Sequence, residues 1–211
     1  MATQLHGPVR PPVVSPVAGR TAGTLAVPLL AVVLKVVVVL AMLRAVADPA
    51  WANLEGKAPV ARAVVFPLLV LAVPAFWAMT GRATAYPWVA DILVTLACLV
   101  DVGGNRLDLY DEIGWFDDAV HLVNTATVSA VAVVLTVPRA ATVLEIAQAA
   151  VAAGLTASLA WELFEFGSFL TRSTEWTTAY SDTIGDLSLG WVGSVLAVVV
   201  LSLGRHRRAA G

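Results

Sequence analysis

The sequence predicts an all-α, polytopic transmembrane helical bundle of about six spans, with both termini cytoplasmic. Three observations predict it. The 211 residues are 59% hydrophobic and only 13% charged, with a mean hydropathy of +0.82, far from the balance of a soluble domain. Apolar runs approach the roughly 20 residues that a helix needs to cross about 30 Å of hydrocarbon. Acid-free basic segments also alternate along the chain with loops in which acids outnumber basic residues.

The spans fall at about 24–47, 63–80, 85–102, 117–137, 142–166 and 184–203. Their continuous Val/Ala/Leu runs lack the alternation of barrel strands, so helices are expected. Gly81-Arg82 and Pro138-Arg139 leave room only for tight helix–helix turns. Residues 1–23, rich in Pro and Gly, are expected to be a disordered cytoplasmic tail. Residues 24–203 form the bundle, and residues 204–211 a basic cytoplasmic tail. Ala45-Val46-Ala47 resembles a signal-peptidase site, but the preceding apolar run is too long for a signal peptide, and a retained helix is expected. The single cysteine, Cys98, excludes a disulfide framework or a cysteine metal cluster. No nucleic-acid partner is expected. The partner that composition demands is the lipid bilayer.

Orientation follows from Lys and Arg in the short loops. Arg10, Arg20, Arg82, Arg139, Arg205, Arg207 and Arg208 lie in segments without a single acid. The other loops hold Asp48, Glu55, Asp108, Asp111, Glu112, Glu175 and Asp182, against Lys57, Arg106 and Arg172. The basic side is therefore expected to be cytoplasmic. Trp51, Trp115 and Trp176 fall in or beside the acidic loops, as interfacial anchors do.

This orientation gathers distant acids at one face. The fourth span opens Trp115-Phe116-Asp117-Asp118-Ala119-Val120-His121, which puts Asp117, Asp118 and His121 on one helix face. The fifth ends Trp161-Glu162-Leu163-Phe164-Glu165, and the sixth begins Asp182-Thr183-Ile184-Gly185-Asp186. Asp101 closes the third span at the same level, and Asp111 lies just before the fourth. Each such charge costs about 2.5–3.5 kcal/mol at mid-membrane and less near the interface. A bound cation, shared protons, or Arg106 and Arg172 would offset the cluster. Carboxylates with one imidazole suit a divalent metal ion, with His121, Glu162, Glu165 and Asp186 as the ligand set. The competing reading is structural: Asp117 and Asp118 favour a helix start, Asp182 is an N-cap, and the Glu pair is interfacial.

Other intramembrane polar residues have simpler explanations. Lys35 and Asp91 are placed to form an ion pair. Arg44 and Arg62 are expected to snorkel to the interface. Glu145 and Gln148 are expected to be interfacial.

The motifs Gly104-Asn105, Tyr110-Asp111, Trp115-Phe116-Asp117 with His121, Glu162-x-x-Glu165, and Asp182-x-x-x-Asp186-x-x-x-Gly190-x-x-Gly193 resemble the YjdF-like group of bacterial inner-membrane proteins. The chain is more distantly similar to VanZ-like proteins, which carry Asn where Gly190 stands. The resemblance covers roughly residues 85–200. It implies a bacterial cytoplasmic membrane location and a single site built from Asp117, His121, Glu162, Glu165, Asp182 and Asp186.

Two functional readings follow. In one, the polar site at the extracytoplasmic end binds a cation or small ligand in an envelope-related role. In the other, a metal held there serves a membrane-embedded hydrolase or transferase acting on a lipid-linked substrate. The chain has no second histidine in the bundle, no G-x-S-x-G and no Gly-rich phosphate loop. Six helices without inverted repeats would need to form a homodimer to work as a full transporter.

Overall fold

The computed structural model describes residues 22–80 and 85–209, and no strand occurs among them. The chain folds as α1 (Ala22–Ala47), α2 (Pro59–Val70), α3 (Ala72–Met79), α4 (Trp88–Arg106), α5 (Leu109–Glu112), α6 (Phe116–Thr136), α7 (Val143–Ser168) and α8 (Ala179–Ala209). The expected tail at 1–23 lies outside the described residues as far as residue 21, and α1 already includes Ala22 and Gly23. The Gly81-Arg82 turn also lies outside them.

Five of these helices are long and apolar enough to cross a membrane, and α2 with α3 supplies a sixth crossing if the bent pair counts as one span. The sequence predicts an unbroken second span, whereas the structure bends it by 41° between Val70 and Ala72. Pro74 explains the break: it has no N–H for the Val70 carbonyl, and its ring crowds that carbonyl. Pro59 stands in the first turn of α2, where its missing N–H costs nothing. Residues 204–209, in the basic segment, continue α8 as helix.

Helices α1, α2 and α4 form one packed group, and α6, α7 and α8 another, joined chiefly where α4 meets α6. Val38, Met42, Phe66, Val70, Cys98 and Val102 fill the first core. Lys35 Nζ lies 2.7 Å from Asp91 Oδ1, the pairing that the sequence predicts. Large apolar residues such as Leu29, Leu43, Leu68 and Val200 face outward, as a lipid-solvated surface requires.

The second group packs through small residues, which let helix backbones approach closely in lipid. A Cβ at Gly154 would collide with the Ser129 and Ser194 hydroxyls, and one at Gly193 with the Leu122 carbonyl of α6. Ser129 donates to Ser194 across that contact at 3.1 Å. Gly190 sits against Ser158, whose Oγ would be 2.6 Å from a Cβ there. These close approaches pull α8 onto α6 and α7, and so bring Asp186 within reach of His121.

At the acidic end, the loop before α2 and the turn containing α5 are tied together. Asn53, with φ of 53°, donates to Asp108 at 2.7 Å, and Lys57 donates to Asp111 at 3.1 Å. The Lys57 hydrogen bond holds the Asp111 carboxyl below the ordinary carboxylate range. At the basic end, Thr142 and Glu145 form a capping box that starts α7, so Glu145 is a helix cap.

Candidate functional site

His121 stands one turn into α6, buried, with acids on both sides. Its Nε2 lies 3.5 Å from Asp117 on the same helix and 3.8 Å from Asp186 of α8. Its Nδ1 lies 3.7 Å from Glu162 of α7. His121, Glu162 and Asp186 are at most 7% exposed. Donor atoms of Asp117, His121 and Asp186 lie within 4.8 Å of one another, as do those of His121, Glu162 and Glu165. The two triads share the imidazole. Glu162 Oε1 is buried without a hydrogen-bond partner among the described residues, a costly state for a carboxylate oxygen unless something binds there.

The neighbouring charge is Arg62, and here the structure corrects the sequence reading. The predicted snorkelling arginine is 2% exposed. Its Nη1 lies 2.7 Å from both carboxylate oxygens of Asp101, its Nη2 lies 3.5 Å from Glu165, and its Nε donates to the Lys57 carbonyl. The guanidinium centre also lies 5.3 Å from the Trp161 ring. Asp101 and Glu165 together outcompete the interface, because charge-assisted contacts to two carboxylates replace those to water. Arg106, a candidate counter-ion by sequence, instead lies 5.4 Å over Trp51. The side chain of Arg172, the other candidate, lies outside the described residues. Spacing puts Arg62 on one face of α2 with Phe66 and Val70, but it takes the packing to say that this face is the buried one.

The structure does not gather every predicted acid. Asp118 is exposed on the far side of the α6 start, while its neighbour Asp117 turns to His121. Asp111 and Asp182 are exposed at the rim of a cavity of about 690 Å³, whose wall includes Arg62, Asp101, Asp117, His121 and Glu165. Glu162 and Asp186 lie behind His121, next to that wall.

Apolar helices around a buried acid/imidazole cluster define a polytopic membrane protein with a buried polar cluster. A family model described as predicted membrane protein, DUF2238, matches residues 27–207, and the chain belongs to that family. No curated protein and no solved structure matches it.

Proposed function

We propose that the protein binds a cation inside the membrane, with Asp117, His121, Glu162, Glu165 and Asp186 as its donors. The observation that carries this reading is the surplus of carboxylates around one imidazole. Arg62 is shared between Asp101 and Glu165, and His121 faces Asp117, Glu162 and Asp186. Even with His121 protonated, negative charge remains in excess at a depth where each unpaired charge is costly. A divalent ion would offset it. One nitrogen among several oxygens suits Mn²⁺, Fe²⁺ or Zn²⁺. The orphaned Glu162 oxygen fits the same ion.

A second reading is favoured by the cavity, because Asp117 and His121 line it. A substrate entering there would reach a metal held by the cluster, as a membrane-embedded hydrolase or transferase acting on a lipid-linked substrate requires. The metal would supply Lewis-acid polarisation, while His121 and Glu165 stand within reach to move a proton.

The arginine distribution supports a cytoplasmic basic end and hence a site at the extracytoplasmic face, and we take the membrane to be bacterial and the role envelope-related. The test is stoichiometric Mn²⁺ binding, by electron paramagnetic resonance, to protein purified and stripped of metal. Wild type is expected to bind, and His121→Ala and Glu162→Gln to lose the signal. Absence of binding in wild type, to Mn²⁺ and Zn²⁺ alike, would falsify the reading.

A further inference from the structure

The cavity beside the cation site is chemically two-ended. Its rim is charged, with Lys57, Asp111 and Asp182. Its wall then follows α6 inward from Asp117 to Val128, about 16 Å at about 1.5 Å per residue. Leu69 of α2, Ala97 of α4 and Ala157 of α7 also line it. A volume of about 690 Å³ is in the range of small-molecule sites. A site for a bare ion does not need this depth.

A second feature marks the cavity as a ligand site. Ser158 lines it, is 4% exposed, and its hydroxyl has no hydrogen-bond partner among the described residues. That unpaired hydroxyl costs stability that a water admitted to the cavity beside the ligand recovers.

The charge on the lining selects the head group. Of its charged residues, Lys57 pairs with Asp111 and Arg62 with Asp101. Arg62 is shared with Glu165 as well, and Asp117 and Asp182 also line the cavity, with Glu162 and Asp186 directly behind, so acids outnumber basic groups there. Such a wall repels phosphate and attracts ammonium, whose three N–H donors match several carboxylate acceptors. An alkyl chain gains little on leaving the bilayer for another apolar wall, so recognition must come from the head.

We propose that this cavity binds a membrane amphiphile with a primary-ammonium head, seated among Asp117, Glu165 and His121, and a single alkyl chain running toward Leu69 and Ala157. The proposal rests on the cation-site reading: in the metal-free protein the ammonium head takes the place of the metal ion at the same acids.

The test uses full-length, metal-free protein in nanodiscs of neutral lipid, with chain-brominated dodecylamine as probe. Quenching of Trp161, which lines the cavity, is read as the difference between wild type and Trp161→Phe. Saturable quenching is expected for the amine, with brominated dodecanol and dodecyl phosphate binding at least about tenfold more weakly. Ala157→Phe and the more exposed Leu69→Phe should each block the amine while keeping Mn²⁺ binding, which reports a folded cation site. Equal quenching by alcohol and amine overturns ammonium recognition, and undiminished quenching in both filled variants overturns the cavity as the chain's path. Mn²⁺ binding without amine binding sinks this proposal alone. Loss of both sinks the cation site with it.

Discussion

Arg62 of α2 and Asp101 of α4 meet deep in the bundle, Nη1 2.7 Å from each carboxylate oxygen, in the wall of the cavity that holds the candidate site. The pair joins two helices of the first group. Through Glu165 and Trp161, Arg62 also reaches α7 of the second. One side chain thus couples the packing of both halves to the acid cluster.

Removing one partner of this pair leaves the other charge buried and unpaired. Arg62→Leu and Asp101→Leu should each cost about 3–5 kcal/mol, and the double variant clearly less than their sum. Thermal unfolding in detergent with a double-mutant cycle measures this; additive losses would show that the pair is not coupled.

Gly193 faces the Leu122 carbonyl, and an added methyl there has no room. Gly193→Ala should cost about 1–3 kcal/mol and also weaken Mn²⁺ binding, because α8 carries Asp186. Gly204, with open space around it, is the control: Gly204→Ala should leave both stability and binding unchanged. If Gly193→Ala binds Mn²⁺ as wild type does, close α6–α8 packing does not set the site.

Asp117 and Asp118 are neighbours with opposite assignments. Asp117→Asn should weaken Mn²⁺ binding by about tenfold or more, and Asp118→Asn should leave it as in wild type. Equal effects from the two would place both carboxylates at the helix start only as favourable charge, without a ligand role.

The Lys57–Asp111 pair carries a defined pH signature. Asp111 is held below its unfolded value, near 3.9. Its stabilising effect is therefore full above that value and is lost as pH falls through the lowered folded value. Because Asp111 is exposed, Asp111→Asn should cost less than about 1 kcal/mol at pH 7. The difference from wild type should disappear in strong acid. A wild type that loses this contribution between pH 6 and 8 would contradict the assignment.

The spans were legible because membrane insertion depends on local composition. The run at 117–137 and the observed Phe116–Thr136 differ by one residue at each end. Lys35–Asp91 was legible too, since two opposite charges at similar depth in lipid have few alternatives. Arg62 was not, because four residues into a helix a long cation reaches either water or the interior. Asp101 and Glu165, remote in sequence, decide which. The break at Leu71 was signalled by Pro74, whose effect depends on how neighbouring helices re-satisfy the Val70 carbonyl.

The sequence by itself determined that the chain is a helical membrane bundle and which acids share one end of it. Both follow from properties of single segments: the apolar length of a span and the residues at its ends. Only the tertiary structure decided that Asp117 turns inward while Asp118 does not, that Arg62 is buried against Asp101, and that His121 gathers acids from α6, α7 and α8. Those outcomes depend on how closely helices approach, and the glycine contacts of α7 and α8 set that distance.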